Sequence, residues 1–82
     1  MSSQCRMARA ALQLGVRDLA TLAKVSTNTV TRLESGEELK PRTLEAIRAA
    51  LEGAGVMFVS ADEEGGPGVR MRAPSGLLAL RL

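Results

Sequence analysis

Thr27, Asn28, Thr31 and Arg32 fall within one short stretch, at spacings that gather them on one side of a helix, opposite Val30 and Leu33. Their groups are an amide, a guanidinium fork and two hydroxyls with methyls. Such groups recognise by hydrogen bonding and do not make bonds. Together they form a polar face of the kind that reads DNA. No arrangement suited to bond-making stands out in the chain. It has no His, no carboxylate pair on a rigid element and no phosphate-loop pattern, and Gly65–Gly68 (GGPG) is short and acidic in its flanks. The single Cys5 cannot form an internal disulfide, and with no second Cys and no His a zinc site is not expected. The expectation is therefore no catalytic residue, no metal and no cofactor.

Short helices must present that face. Ser3 is the expected cap of a first helix, Gln4 to Leu12, with Cys5, Ala8, Ala11 and Leu12 on one side and Gln13 at its end. Leu14 reads as a buried anchor. Gly15 caps a second helix whose Asp18 meets the free amides, and Leu19, Ala20, Leu22 and Ala23 make its apolar stripe. Lys24 stands where a left-handed residue is needed, at about 1 kcal/mol for a non-glycine residue. Val25 plugs the turn. Ser26 caps a third helix, Thr27 to Ser35, which Gly36 ends in the left-handed conformation. Pro41 opens a fourth, with Leu44, Ile47, Ala50, Leu51 and Ala54 at helical spacing.

The character then changes to strands at 56–60 and 68–72 around an acidic, glycine-rich turn, with one buried face on 69–72. A two-stranded hairpin is marginal alone. A second copy of the chain is the expected support, through Val56, Phe58, Val59, Val69 and Met71. Met7, Met57 and Met71 read as core or interface packing, and Cys5 as a small buried residue. Residues 73–82 read either as a disordered tail or as an addition to that interface.

With 82 residues and 45% hydrophobic content, the chain suits one domain with a small core. The expected division is 1–55, 56–72 and 73–82. No apolar run is long enough to span a membrane, and the N-terminus does not read as a signal peptide, so a cytoplasmic location is expected. Net charge is +2, with +3 in residues 1–43 and −1 in residues 44–82. That asymmetry favours an anionic partner for the front half.

Leu19-Ala20, Val25-Ser26, Val30, Leu33-Glu34-Ser35-Gly36, Pro41, Leu44 and Ile47 together resemble the phage-repressor-like (Xre-type) helix-turn-helix family, over residues from about 6 to 55. The resemblance implies a mainly α, lambda-repressor-like bundle of four to five short helices, here with a C-terminal β-hairpin. It implies a bacterial or phage-type transcriptional regulator, a repressor, that binds a palindromic operator in double-stranded DNA as a homodimer. The third helix would enter the major groove. Thr27, Asn28, Thr31 and Arg32 become the base-reading residues: Asn pairs with adenine, Arg with guanine, and a Thr methyl packs on thymine. Arg17, Ser26, Ser35, Lys40 and Arg42 become the phosphate contacts. Arg9 and Glu34 match a structural ion pair of the family. Two positions depart from its pattern. Val16 stands where a phosphate-touching Gln is common, with Arg17 as its substitute, and Lys24 stands where Gly is common. The family also includes antitoxins and accessory proteins. In that alternative the tail LLALRL, residues 77–82, binds a protein partner, either a toxin or a co-regulator.

Overall fold

The computed structural model describes residues 1–72. Residues 73–82, and with them the expected tail and partner-binding segment, lie outside the described residues. Four helices precede two strands: α1 (Ser2–Leu12), α2 (Val16–Ala23), α3 (Thr27–Glu34), α4 (Pro41–Gly53), β1 (Val56–Val59) and β2 (Gly68–Met71). The protein is thus mainly helical with an antiparallel hairpin after the last helix. No helix among the described residues is long and apolar enough to cross a membrane.

α1 starts earlier than its serine suggests. Met1 is the cap and its carbonyl accepts from Cys5 N at 2.9 Å, so Ser3 lies inside the first turn and caps nothing. Met1 also packs against the core, which draws the chain into the helix ahead of Ser3.

The first three helices end alike, each with two reverse hydrogen bonds around a left-handed residue. Leu14 N donates to Arg9 O at 2.9 Å, Val25 N to Ala20 O at 2.9 Å and Glu37 N to Arg32 O at 3.0 Å. The left-handed residues are Gln13 (φ 58°), Lys24 (φ 59°) and Gly36 (φ 94°). Leu14 and Val25, the residues just beyond, fold back half-buried against the core. Only the third of these sites has the residue type that the conformation favours. Lys24→Gly should therefore raise stability by about 0.5–1 kcal/mol, the strain relieved less the freedom that glycine loses. Urea denaturation reads this directly, and a loss of stability would show that Lys24 carries no strain.

The core gathers Cys5 and Ala8 from α1, Leu19, Ala20 and Ala23 from α2, Val30 and Leu33 from α3, Ile47 and Leu51 from α4, and Val56 from β1. Leu12, Leu14, Leu44 and Ala50 pack half-buried against it, and three expected core residues are exposed. Ala11 flanks the α1 stripe and is exposed. Leu22 is 50% exposed, because Leu19, Ala20 and Ala23 centre the buried stripe of α2 and leave it on the flank. Ala54 follows the end of α4 and is exposed. Met7 and Met57 are exposed as well.

β1 and β2 pair in the register Val56–Met71, Met57–Arg70, Phe58–Val69 and Val59–Gly68. Glu64 N donates to Asp62 Oδ1 at 2.9 Å in the connecting turn. The support for this hairpin differs from the expectation: it lies on its own α1 and α4. Gln4 Nε2 donates to Val59 O at 3.1 Å and to Gly68 O at 3.0 Å, clamping both strands at the turn end. Val56 is fully buried in its own chain and so is not free to meet a second copy. Phe58 and Val69 are half-buried against the same core, and the Arg48 guanidinium lies 5.1 Å from the Phe58 ring centre. Val59 and Met71 stay exposed, Met71 at 47%, although the alternation of 69–72 predicts it on the buried face. The helices cover Val56 at this end of the hairpin and leave its cross-strand partner Met71 open.

Candidate nucleic-acid interface

α2 and α3 pack against one another across the three-residue connection Lys24-Val25-Ser26. Two local devices hold the connection. Lys24 turns the chain in the left-handed conformation, and Ser26 then resets it to extended backbone (φ −80°, ψ 158°) and accepts from Thr29 N through Oγ at 3.1 Å. Ser26 Oγ also shares a 2.9 Å hydrogen bond with Thr29 Oγ1. At the start of α2, Asp18 Oδ2 accepts from Gly15 N at 2.9 Å, as the spacing predicts.

The far end of α3 is tied to α1. Arg9 Nε donates to Glu34 Oε2 at 2.7 Å and Nη2 to Oε1 at 2.8 Å, a two-pronged pair, while Nη1 donates to Leu14 O at 3.1 Å. The Glu34 side chain is only 10% exposed. Hydrogen bonding from Arg9 holds its carboxyl below the usual range, against the opposing effect of burial. Cys5 Sγ donates to the same carboxylate oxygen at 3.3 Å. Burial, and then the bond to Glu34, push the thiol up to about 12, so it stays protonated as a donor at neutral pH.

Held at both ends, α3 buries Val30 and Leu33 and exposes Thr27, Asn28, Thr31 and Arg32. Their free chemistry differs. Among the described residues, the side chains of Thr27 and Asn28 have no protein partner. Thr31 Oγ1 donates to Thr27 O at 3.1 Å, which leaves the methyl as its contact group. Arg32 Nε donates to Glu37 Oε1 at 2.9 Å across the end of the helix, an exposed pair. Opening such a pair costs at most about 1 kcal/mol.

The residues read as phosphate contacts also divide. Ser35 Oγ donates its proton to Arg32 O at 2.9 Å, so it is not the free donor expected there. Ser26 is occupied mainly as a cap. Arg17, Lys40 and Arg42 are exposed and have no carboxylate within ion-pair distance among the described residues. All three sit at helix starts: Arg17 second in α2, Lys40 as the cap of α4 and Arg42 second in α4. A cation at the positive end of a helix is disfavoured by about 0.3–1 kcal/mol, and a bound anion reverses that sign. Asp18 offsets the penalty at α2, whereas the first turn of α4 has no acidic residue.

Three residues with a part in this arrangement escape a sequence reading. Gln4 reaches carbonyls more than fifty positions away, with no local pattern to mark it. Glu37 reaches Arg32 only because Gly36 folds the chain back. Cys5 meets Glu34 only through the packing of α1 on α3. Among the described residues, no three His, Cys, Asp or Glu side chains come together to hold a metal. No protein-family model matches the chain, and no curated protein matches it.

Proposed function

We propose that the chain is a sequence-specific DNA-binding transcriptional regulator of the phage-repressor-like helix-turn-helix kind. α2, the Lys24-Val25-Ser26 turn and α3 form the motif, and the four helices are the lambda-repressor-like bundle. α3 enters the major groove, where Thr27, Asn28, Thr31 and Arg32 meet base edges. Arg17, Lys40 and Arg42 meet phosphates. Two copies bind a palindromic operator with half-site centres about 34–36 Å apart.

The observation that carries this reading is the exposed polar face of α3, in a chain whose Lys40 and Arg42 stand at the start of α4 with no acidic residue in its first turn, where they oppose the fold unless an anion binds. The test is fluorescence anisotropy on the DNA upstream of the chain's own coding sequence, with scrambled DNA beside it, at two salt concentrations. Tighter binding to the upstream DNA supports the reading. Equal binding to both would reject that DNA as the operator, and no binding to either would reject the function.

Two variants separate the parts. Arg42→Glu replaces a disfavoured cation with a favoured anion at α4, so the fold should gain about 0.5–1 kcal/mol in urea. The same change should weaken binding to all DNA and lower the salt slope by about one. If both stability and affinity fall, Arg42 is a structural residue. Glu37→Gln releases Arg32 and removes a negative charge beside the groove. It should tighten operator binding about two- to fivefold, since an exposed pair is worth up to about 1 kcal/mol. Unchanged affinity would show that Arg32 does not have to leave Glu37 to bind.

A further inference from the structure

Arg72 N donates to Gly55 O at 2.7 Å, continuing the ladder beyond the strands as a hydrogen-bonded pair. Such pairs alternate along an antiparallel ladder, so Val69 and Met71 of β2 turn their N–H and C=O groups away from β1. Among the described residues these groups meet no protein partner. The edge is flanked by exposed Arg70, Met71 and Arg72. The hairpin is also polar along its length, with Asp62, Glu63 and Glu64 at the turn and Arg70 and Arg72 at the open end.

We propose that β2 pairs antiparallel with β2 of a second copy about a two-fold axis at Val69, joining the two hairpins into one four-stranded sheet; this rests on the dimer reading above. The charge pattern selects the occupant, and charge together with the backbone groups free to pair selects the register. Antiparallel pairing brings the basic end of each hairpin to the acidic turn of the other. With Val69 on the axis, Arg70 lies across from the partner's Gly68 and Arg72 across from the partner's Gly66, beside the partner's Glu64. Met71 lies across from the partner's Pro67, whose missing N–H is tolerated because Met71 N needs only its carbonyl. Val69, Met71 and Pro67 of both copies then share one face, which covers the exposed Met71. Moving the axis to Arg70 sets Arg70 against the partner's Arg70, and like charges directly opposite disfavour that register. Moving it to Gly68 sets Arg72 against the partner's Glu64, but places Val69 against the partner's Pro67, which has no N–H to give, and Met71 against the partner's Gly65, whose N–H and C=O already pair with Asp62. The pairing also removes the free edge of β2 and gives the hairpin the strand count that independent sheets need.

The test is disulfide trapping in the full chain. In this register, positions 68 and 70 of opposite copies form a non-hydrogen-bonded pair with Cα atoms about 4.5 Å apart, within disulfide range. Gly68 is not left-handed, and a Cβ there meets nothing within 4 Å. Arg70 is exposed and forms no ion pair among the described residues, and Cys5 is buried. Gly68→Cys/Arg70→Cys should give a covalent dimer under mild oxidation, while neither single variant does. Thermal melts confirm that the variants fold. Sedimentation of the unmodified chain is run alongside. Cross-linking of either single variant alone would overturn the register. A dimer in sedimentation with no cross-link in any variant would place the interface elsewhere and leave the dimer reading standing. A monomer at every concentration, free and on DNA, would overturn both.

Discussion

Glu34→Ala should lower the stability of the fold by about 2–3 kcal/mol, through loss of a charge-assisted, largely buried pair and isolation of the Arg9 guanidinium. In a domain of this size, that is about 10–20 °C in melting temperature. The change reaches further than one contact. Glu34 accepts two bonds from Arg9 and one from Cys5, so its loss frees the end of α3 from α1. Glu34→Gln should cost less but still more than 1 kcal/mol, because the amide keeps the shape and loses the charge. The pair also predicts a pH signature. Arg9 holds the folded carboxyl below the ordinary value of 4.5. A depressed carboxylate stabilises the fold fully above its unfolded value, and the contribution is lost as pH falls through the folded value. The gap between wild type and Glu34→Gln should therefore be constant above about pH 5 and shrink in more acid solution. Melts of both proteins at several pH values check this, and an unchanged melting temperature for Glu34→Ala would sink the structural role of the pair.

Asn28→Ala/Arg32→Ala should abolish preference for the operator while leaving the fold intact. Both side chains are exposed, so stability should change by no more than about 1 kcal/mol, the most that the exposed Arg32–Glu37 pair contributes. A good two-bond contact to a base is worth about 1–3 kcal/mol of discrimination, so losing two removes about 2–6 kcal/mol. The preference for operator over scrambled DNA should fall at least about 30-fold. Weak, salt-sensitive binding should remain, because Arg17, Lys40 and Arg42 are untouched. Anisotropy on both DNAs at two salt concentrations separates the two effects. If the double variant keeps its preference, α3 is not the reading helix. If it loses all binding, the face holds the backbone more than it reads bases.

Glu34 and Arg9 come together from positions 25 residues apart, and only a resemblance between sequences suggested the pair. Asn28 and Arg32 are legible from the chain itself, because the spacing of Val30 and Leu33 states which side of α3 faces inward. The same locality made the turns readable. Gly15 with Asp18, Lys24 in the left-handed conformation, Ser26 as a cap, Gly36 beyond α3 and Pro41 at the start of α4 all act within four residues of themselves.

Other residues take their environment from distant parts of the chain, and local pattern does not show it. Leu22 and Ala11 belong to apolar stripes, but a short helix buries only the centre of its stripe, and which side is the centre depends on the neighbours it meets. The hairpin reads as needing a second copy, since two strands alone cannot support themselves. Its actual support is α1 and α4, with Gln4 as the clamp and Val56 in the core. Arg32 reads as free and is paired, because the reversal at Gly36 returns Glu37 to it.

By itself the sequence determined the order of the elements, their turns and the caps of α2, α3 and α4, and the polar face of α3. These follow from hydrogen bonds and backbone preferences that act over one or two turns of chain. Only the tertiary structure decided which apolar residues are buried, which cations are left unpaired at helix starts, and which edge of the hairpin remains open. Burial and pairing are set by surfaces that meet after the chain has folded back on itself, and no local pattern encodes which surfaces those will be.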